Sequence, residues 1–219
     1  MAQDGIITVY GAEGSGSVPV EATLTLLGLP YRVVEAVTWV EQAAQERVAA
    51  VNPQRQVPAI VLPSGEVMTE SAAILIYLAD LHPAARLAPL PTDPQRAQFL
   101  RWMAYVSSAI YALFWIKGDP MRLALRPEDG PALIDRVHDR IAACWRMMDE
   151  QIKPGRYILG DEMTVLDLYV TVISRFGPWR NRFYRTAPKL AEIVRRVDAD
   201  PRLADFWARR YPFEDDWEG

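Results

Sequence analysis

The sequence predicts an α/β domain of order β-α-β-α-β-β-α followed by an all-helical domain. Strand and helix signals alternate up to a proline-rich break at His82–Pro94. Beyond that break, apolar residues recur at helical spacing and no strand-like run follows. The expected boundaries are therefore residues 1–82 for the first domain, 83–94 for a linker and 95–219 for the second domain.

Each element has a local reason. Ile6–Tyr10 is a short β-rich run that gives way to a glycine-serine loop, Gly11–Ser17. A helical pattern from Pro19 to Leu27 stops at Gly28, a residue suited to the left-handed position that ends helices. Tyr31–Val37 is β-branched and reads as a strand. Val40–Val51 is helical until Asn52-Pro53, because proline disfavours helical geometry in the residue before it. Val57-Pro58 opens a strand over Ala59–Leu62, Pro63-Ser64-Gly65-Glu66 turns it, and a second strand runs to Glu70. Ser71–Leu81 closes the unit as a helix. The prolines that follow cannot continue it.

In the second domain Phe99, Trp102, Met103, Val106, Ile110 and Phe114 form one apolar stripe. Ile134, Val137, Ile141 and Met148 form another, and further helices begin near Thr164, Pro188 and Pro201.

Composition narrows the class. Half of the 219 residues are hydrophobic and 24% are charged, which is ordinary for a soluble globular chain with a sizeable core. A net charge of -4 gives no reason to expect nucleic acid or an anionic membrane as partner. The start, MAQDGIITVYG, lacks the basic and long apolar parts of a secretory signal. The longest uncharged run, Trp102–Ile116, falls short of the roughly 20 residues that cross a bilayer. Cys144 is the only cysteine, which excludes an intrachain disulfide and a cysteine-based metal cluster. His82 and His138 stand too far apart to suggest a metal or a catalytic base. A cytoplasmic protein without metal is expected.

Three motifs carry chemistry. Val57-Pro58, at a strand start, can turn the Val57 backbone N–H and C=O outward, where an extended peptide would pair with them. Ser71 stands at a helix N-terminus, where free N–H groups and the dipole favour an anion, and Glu70 precedes it. Thr164 and Asp167 have the spacing of a reciprocal helix cap, a structural role. Taken singly, each has a plain alternative: prolines often begin strands, and Ser71 can be a simple cap.

Together, Val57-Pro58, Glu70-Ser71 and Thr164-Val165-Leu166-Asp167, the last preceded by Leu159-Gly160, have the order and separation found in cytosolic glutathione transferases. The chain resembles the bacterial-type members of that family over nearly its whole length. The resemblance implies a thioredoxin-like first domain, a cis bond before Pro58, and glutathione as co-substrate. The Val57 backbone would hold the cysteinyl unit. Ser71 would take the γ-glutamyl carboxylate, Glu70 its ammonium, and Arg55 and Gln56 would approach the glycyl carboxylate. It also implies a homodimer that joins glutathione to a small apolar electrophile, a detoxification chemistry. The alternatives are a glutathione-dependent peroxidase or thiol reductase, and a non-catalytic binding or interaction protein of the same fold.

The catalytic residue of that family follows the first strand and is Tyr, Ser or Cys. Counting back from Gly28, its usual serine falls on Gly14 and its usual cysteine on Gly16. The hydroxyls nearby are Ser15 and Ser17, with Tyr10 at the strand end. A loop without cysteine disfavours mixed-disulfide chemistry, since Cys144 lies mid-helix and reads as a small buried hydrophobe. The remaining route is activation of the glutathione thiol itself. Lowering a pKa of about 8.5 by about two units takes about 2.7 kcal/mol of thiolate stabilisation. Ser15 or Ser17 is the expected donor, Ser15 preferred because it lies between the two family positions; Ser17 also reads as the cap of the first helix.

Tyr105, Ser108, Ala112 and Trp115 share a helix face distinct from the Phe99 stripe. With Tyr10 they are expected to wall the electrophile pocket. The alternative is a helix buried on both sides. Arg175, Arg180, Arg182 and Arg185 read as a solvated, partly paired surface.

Overall fold

Strands β1 (Ile7–Gly11), β2 (Tyr31–Glu35), β3 (Ala59–Val61) and β4 (Val67–Thr69) form one sheet in the order β2-β1-β3-β4. The computed structural model of the chain describes residues 5–176 and 180–214. β1 and β2 are parallel, in register Val9↔Val33, so the chain between them must cross over, and α1 (Val18–Leu26) does so. β3 runs antiparallel to β1, with Val9 opposite Ile60, and forms a hairpin with β4. Gly65, at φ +88, permits the hairpin turn, and its N–H donates to the Leu62 carbonyl at 2.8 Å. The anticipated end of α1 is also present: Gly28 takes φ +63.

α1 and α3 (Ser71–Leu81) pack together, burying Val18, Leu24, Ile74, Leu75 and Leu78 with Val9 and Ile60 of the sheet. α2 (Gln42–Ala49) is the lighter partner. Its Ala44 and Val48 make a separate small cluster with Ala36, Tyr10 and Val57. After α3 the chain is not a loose tether: Leu87 and Ala88 are buried, and the Leu87 carbonyl accepts from Val165 N–H at 2.8 Å.

The remainder of the described chain is helical. α4 (Arg96–Tyr105) continues through a wide π-helical turn (Val106–Tyr111) into α5 (Leu113–Gly118). The run Arg96–Gly118 is 23 residues, long and apolar enough to span a bilayer, but Phe99, Trp102, Met103, Val106 and Ile110 are spent on the protein's own core. α6 (Gly130–Gln151), α7 (Val165–Ser174), α8 (Arg180–Thr186), α9 (Pro188–Asp198) and α10 (Ala204–Arg210) follow. α7 is buried along its whole length and packs on α1, α3, α4 and α9.

The cap of α7 has the expected form. The Asp167 carboxylate accepts from the Thr164 N–H and hydroxyl, both at 2.8 Å, and from Ile158 N–H at 2.9 Å. Burial pushes its carboxyl up to about 6, against the pull of these donors.

The arginine-rich stretch departs from expectation. Arg175 and Arg180 are buried, and both guanidinium groups grip Asp198, Arg175 at 2.6 Å. Arg182 is half-buried and pairs with Asp139 at 2.7 Å. Only Arg185 of the four is exposed. Asp198, at the end of α9, makes the burial of two cations tolerable.

Candidate active site

An open cleft of about 1150 Å³ lies between the sheet-bearing region and the α4–α5 helix. Gly14 to Gly16, Asn52, Gln54 to Pro58, Glu70 and Ser71 form one side. Ser107, Tyr111, Ala112, Phe114, Trp115 and Phe176 form most of the other, with Lys117, Arg122 and Tyr211 at its margins. Of the residues singled out from the sequence, Ser15, Arg55, Gln56, Val57, Pro58, Glu70, Ser71, Ala112 and Trp115 border this cleft. Ser17, Tyr10, Tyr105 and Ser108 do not.

The Val57–Pro58 peptide is cis, as the resemblance implied. Both ladders of β3 begin at Ala59, so the backbone N–H and C=O of Val57 lie outside the sheet pairing, on the cleft wall. The preceding loop is braced by Asn52, which is buried. Its Nδ2 donates to the Gln56 carbonyl at 2.8 Å and its Oδ1 accepts from Gln54 N–H at 3.1 Å. Arg55, on the exposed rim, takes φ +56.

Glu70 sits immediately before α3 with φ +64 and ψ 100, a left-handed conformation that is unfavourable for a residue with a Cβ. Such strain costs of order 1–3 kcal/mol and persists where the surroundings enforce it. Here it aims an exposed carboxylate into the cleft beside the free N–H groups of the first turn of α3. The Ser71 hydroxyl lies 3.0 Å from the Tyr169 hydroxyl. Burial pushes the Tyr169 phenol up to about 12, so it stays protonated. This pair of hydroxyls links α3 to α7.

The serines after β1 are committed elsewhere. Ser17 is fully buried, and its hydroxyl lies 2.6 Å from the Glu21 carboxylate, which can only accept. A serine has one proton to give, so in the 2.9 Å Ser15–Ser17 contact Ser15 is the donor. Ser15 Oγ in turn accepts from the N–H groups of Ala12 and Ser17 at 3.2 and 3.1 Å. Both protons therefore run inward to Glu21, which Arg210 holds at 2.7 Å. In this arrangement neither hydroxyl directs its proton into the cleft, where the expected donor to a bound sulfur would act. Ser17 occupies the N-cap position of α1, yet its side chain makes no capping bond.

The electrophile wall is also shifted. Tyr105 turns inward and donates to the Cys144 carbonyl at 3.1 Å; Ser108 is exposed and donates to Ala104 C=O at 2.8 Å. Tyr10 packs beside α2. The long helix carries a π-helical turn here, whose i→i+5 bond from Ala112 N–H to Ser107 C=O at 3.1 Å adds a residue to one turn. Ser107, Tyr111, Ala112, Phe114 and Trp115 of this helix reach the cleft, whereas Tyr105 and Ser108 do not. Sequence reasoning missed Tyr111, Phe114, Phe176 and Tyr211. Among the described residues no group of His, Cys, Asp and Glu side chains is arranged to hold a metal ion.

Comparison with known proteins agrees with this architecture. A family model described as the glutathione S-transferase N-terminal domain matches residues 17–81. An uncharacterized GST-like protein of Escherichia coli (strain K12), YncG, is 30% identical over 205 residues, covering 93% of this chain and 98% of that one. Glutathione S-transferase GstA of Escherichia coli O157:H7 is 26% identical over 156 residues, 71% of this chain and 74% of that one. A crystal structure of a glutathione transferase homolog from Sulfitobacter with bound glutathione superposes with a TM-score of 0.79. It has 27% sequence identity, over 94% of this chain and 98% of that chain.

Proposed function

The chain belongs to the glutathione S-transferase family, and from that premise we propose that its cleft binds glutathione and transfers the sulfur to a small apolar electrophile. The observation that carries this reading is the convergence of the unpaired Val57 backbone and the Glu70–Ser71 helix start on one cleft. The Val57 N–H and C=O pair with the cysteinyl backbone as an added strand would. Ser71 and the first N–H groups of α3 take the γ-glutamyl carboxylate, while Glu70 answers the neighbouring ammonium. Arg55 and Gln56, on the rim, meet the glycyl carboxylate.

The wall of Ala112, Phe114, Trp115 and Phe176 suits an apolar second substrate. In the reaction the thiol proton leaves to water and the thiolate forms a bond to the electrophilic carbon. The leaving group departs with its electron pair. The family likeness also supports a homodimeric, cytoplasmic protein.

Isothermal titration with glutathione, read beside the ultraviolet band of the bound thiolate, tests the reading. Binding with a thiolate signal at neutral pH is expected, followed by turnover of a model aryl halide. No binding would overturn the proposal. Binding without turnover of any electrophile or hydroperoxide would leave a glutathione-binding interaction protein.

A further inference from the structure

We propose that Tyr111, from the helical half of the molecule, donates the hydrogen bond that stabilises the glutathione thiolate, standing where the loop after β1 has no side chain to offer. The proposal rests on the glutathione-transferase reading above.

Its first support is position. An ideal Cβ built on Gly16 would lie 1.9 Å from the Tyr111 hydroxyl oxygen and 2.9 Å from its Cζ. The phenol oxygen therefore fills the volume that the first side-chain atom of residue 16 would need. The two are mutually exclusive, and only glycine lets the phenol in. Gly14 offers a contrast. Its ideal Cβ would meet ring carbons of Tyr211 at 3.6 Å, and the Tyr211 hydroxyl already donates to the Arg175 carbonyl at 3.0 Å. Tyr211 fills space; Tyr111 brings a donor.

The second support is the proton. Ser15 and Ser17 direct theirs to Glu21. No described residue accepts from the Tyr111 hydroxyl, which borders the cleft. Burial raises its pKa, so the phenol remains a donor throughout the working range of the enzyme.

The third is rigidity. The ring is held edge-on by Tyr169 at 6.3 Å and 82°, and tilted against Phe176 at 5.5 Å. On the long helix Tyr111 stands one turn beyond Ser107 and one turn before Trp115, and all three border the cleft. A donor fixed in this way loses little entropy when a thiolate arrives.

The test is the thiol pKa of bound glutathione in wild type, Tyr111→Phe, Gly16→Ala and Ser15→Ala, with affinity measured in parallel. Tyr111→Phe should bind glutathione within about threefold of wild type, while the thiol pKa rises by roughly one to two units toward its free value of about 8.5. The rate below that pKa should fall at least about tenfold, with much less loss at high pH. Gly16→Ala, which expels the phenol without adding a donor, should reproduce the pKa shift, and Ser15→Ala should leave it where it is. A Tyr111→Phe protein that binds glutathione with an unchanged thiol pKa overturns the proposal and spares the transferase reading. Wild-type protein that binds no glutathione overturns both.

Discussion

Arg210 of α10 donates through Nε to the Glu21 carboxylate of α1 at 2.7 Å, across 189 residues of sequence. Glu21 is fully buried and also receives the Ser17 hydroxyl, so one ion pair closes the loop after β1 from behind and ties it to the last described helix. The same guanidinium reaches Glu35 at the end of β2 at 2.5 Å. A buried carboxylate with these partners is a structural support for the loop that borders the cleft.

Arg210→Ala would leave the Glu21 carboxylate buried without its cation. Loss of one partner of a buried pair costs about 3–5 kcal/mol, and the expected value is near the lower end because Arg210 keeps some contact with solvent. Urea denaturation measures it. A loss under about 1 kcal/mol would mean that the pair contributes little. Restoration of the midpoint in a Glu21→Gln/Arg210→Met double variant is the expected counterpart.

Glu70→Gly should separate stability from function. Glycine adopts φ +64 freely, so removing the strained residue is expected to raise stability by about 1 kcal/mol. It also removes the carboxylate from the cleft, and glutathione affinity should fall about tenfold or more, the worth of a charge-assisted bond. Thermal denaturation and titration calorimetry on one preparation read both effects. Unchanged affinity would remove Glu70 from the site.

Ser71→Ala keeps α3 intact and deletes the hydroxyl contact with Tyr169. Stability should fall by about 1 kcal/mol, while glutathione affinity drops about tenfold. A variant that binds as wild type does would show that the carboxylate is held by backbone N–H groups alone.

Asp167 predicts a pH dependence of stability. Its carboxyl is pushed up to about 6 in the fold, against an ordinary 3.8. The folded state therefore holds the proton more tightly than the unfolded chain. The resulting stabilisation is complete below the unfolded pKa and is lost as pH rises through about 6. Measured as the difference between wild type and Asp167→Asn, stability should decline by on the order of 3 kcal/mol between pH 4 and 7. A flat difference would mean that the three donors cancel the effect of burial.

The order of strands and helices is readable wherever the rule is local. Gly28 ends α1, Asn52-Pro53 ends the second helical pattern, Gly65 turns the hairpin, and Thr164 with Asp167 begins α7. Val57-Pro58 and Glu70-Ser71 could be singled out because each motif carries its backbone geometry within two residues. The commitment of Ser17 to Glu21 also lay within reach, since the two stand one helical turn apart.

What lay beyond the sequence depends on partners from distant segments. Arg175 and Arg180 look solvated as residues on their own, and only the arrival of Asp198 from α9 makes their burial tolerable. Tyr111 shares a helix face with Ser107 and Trp115, but nothing local says that this face meets the glycine loop after β1. So the sequence by itself determined the fold class, the family and the two motifs that converge on the cleft, each through short-range steric rules. Which hydroxyl faces the cleft was decided by tertiary packing: a glycine's empty volume on one element admits a phenol from another only once the two are brought together.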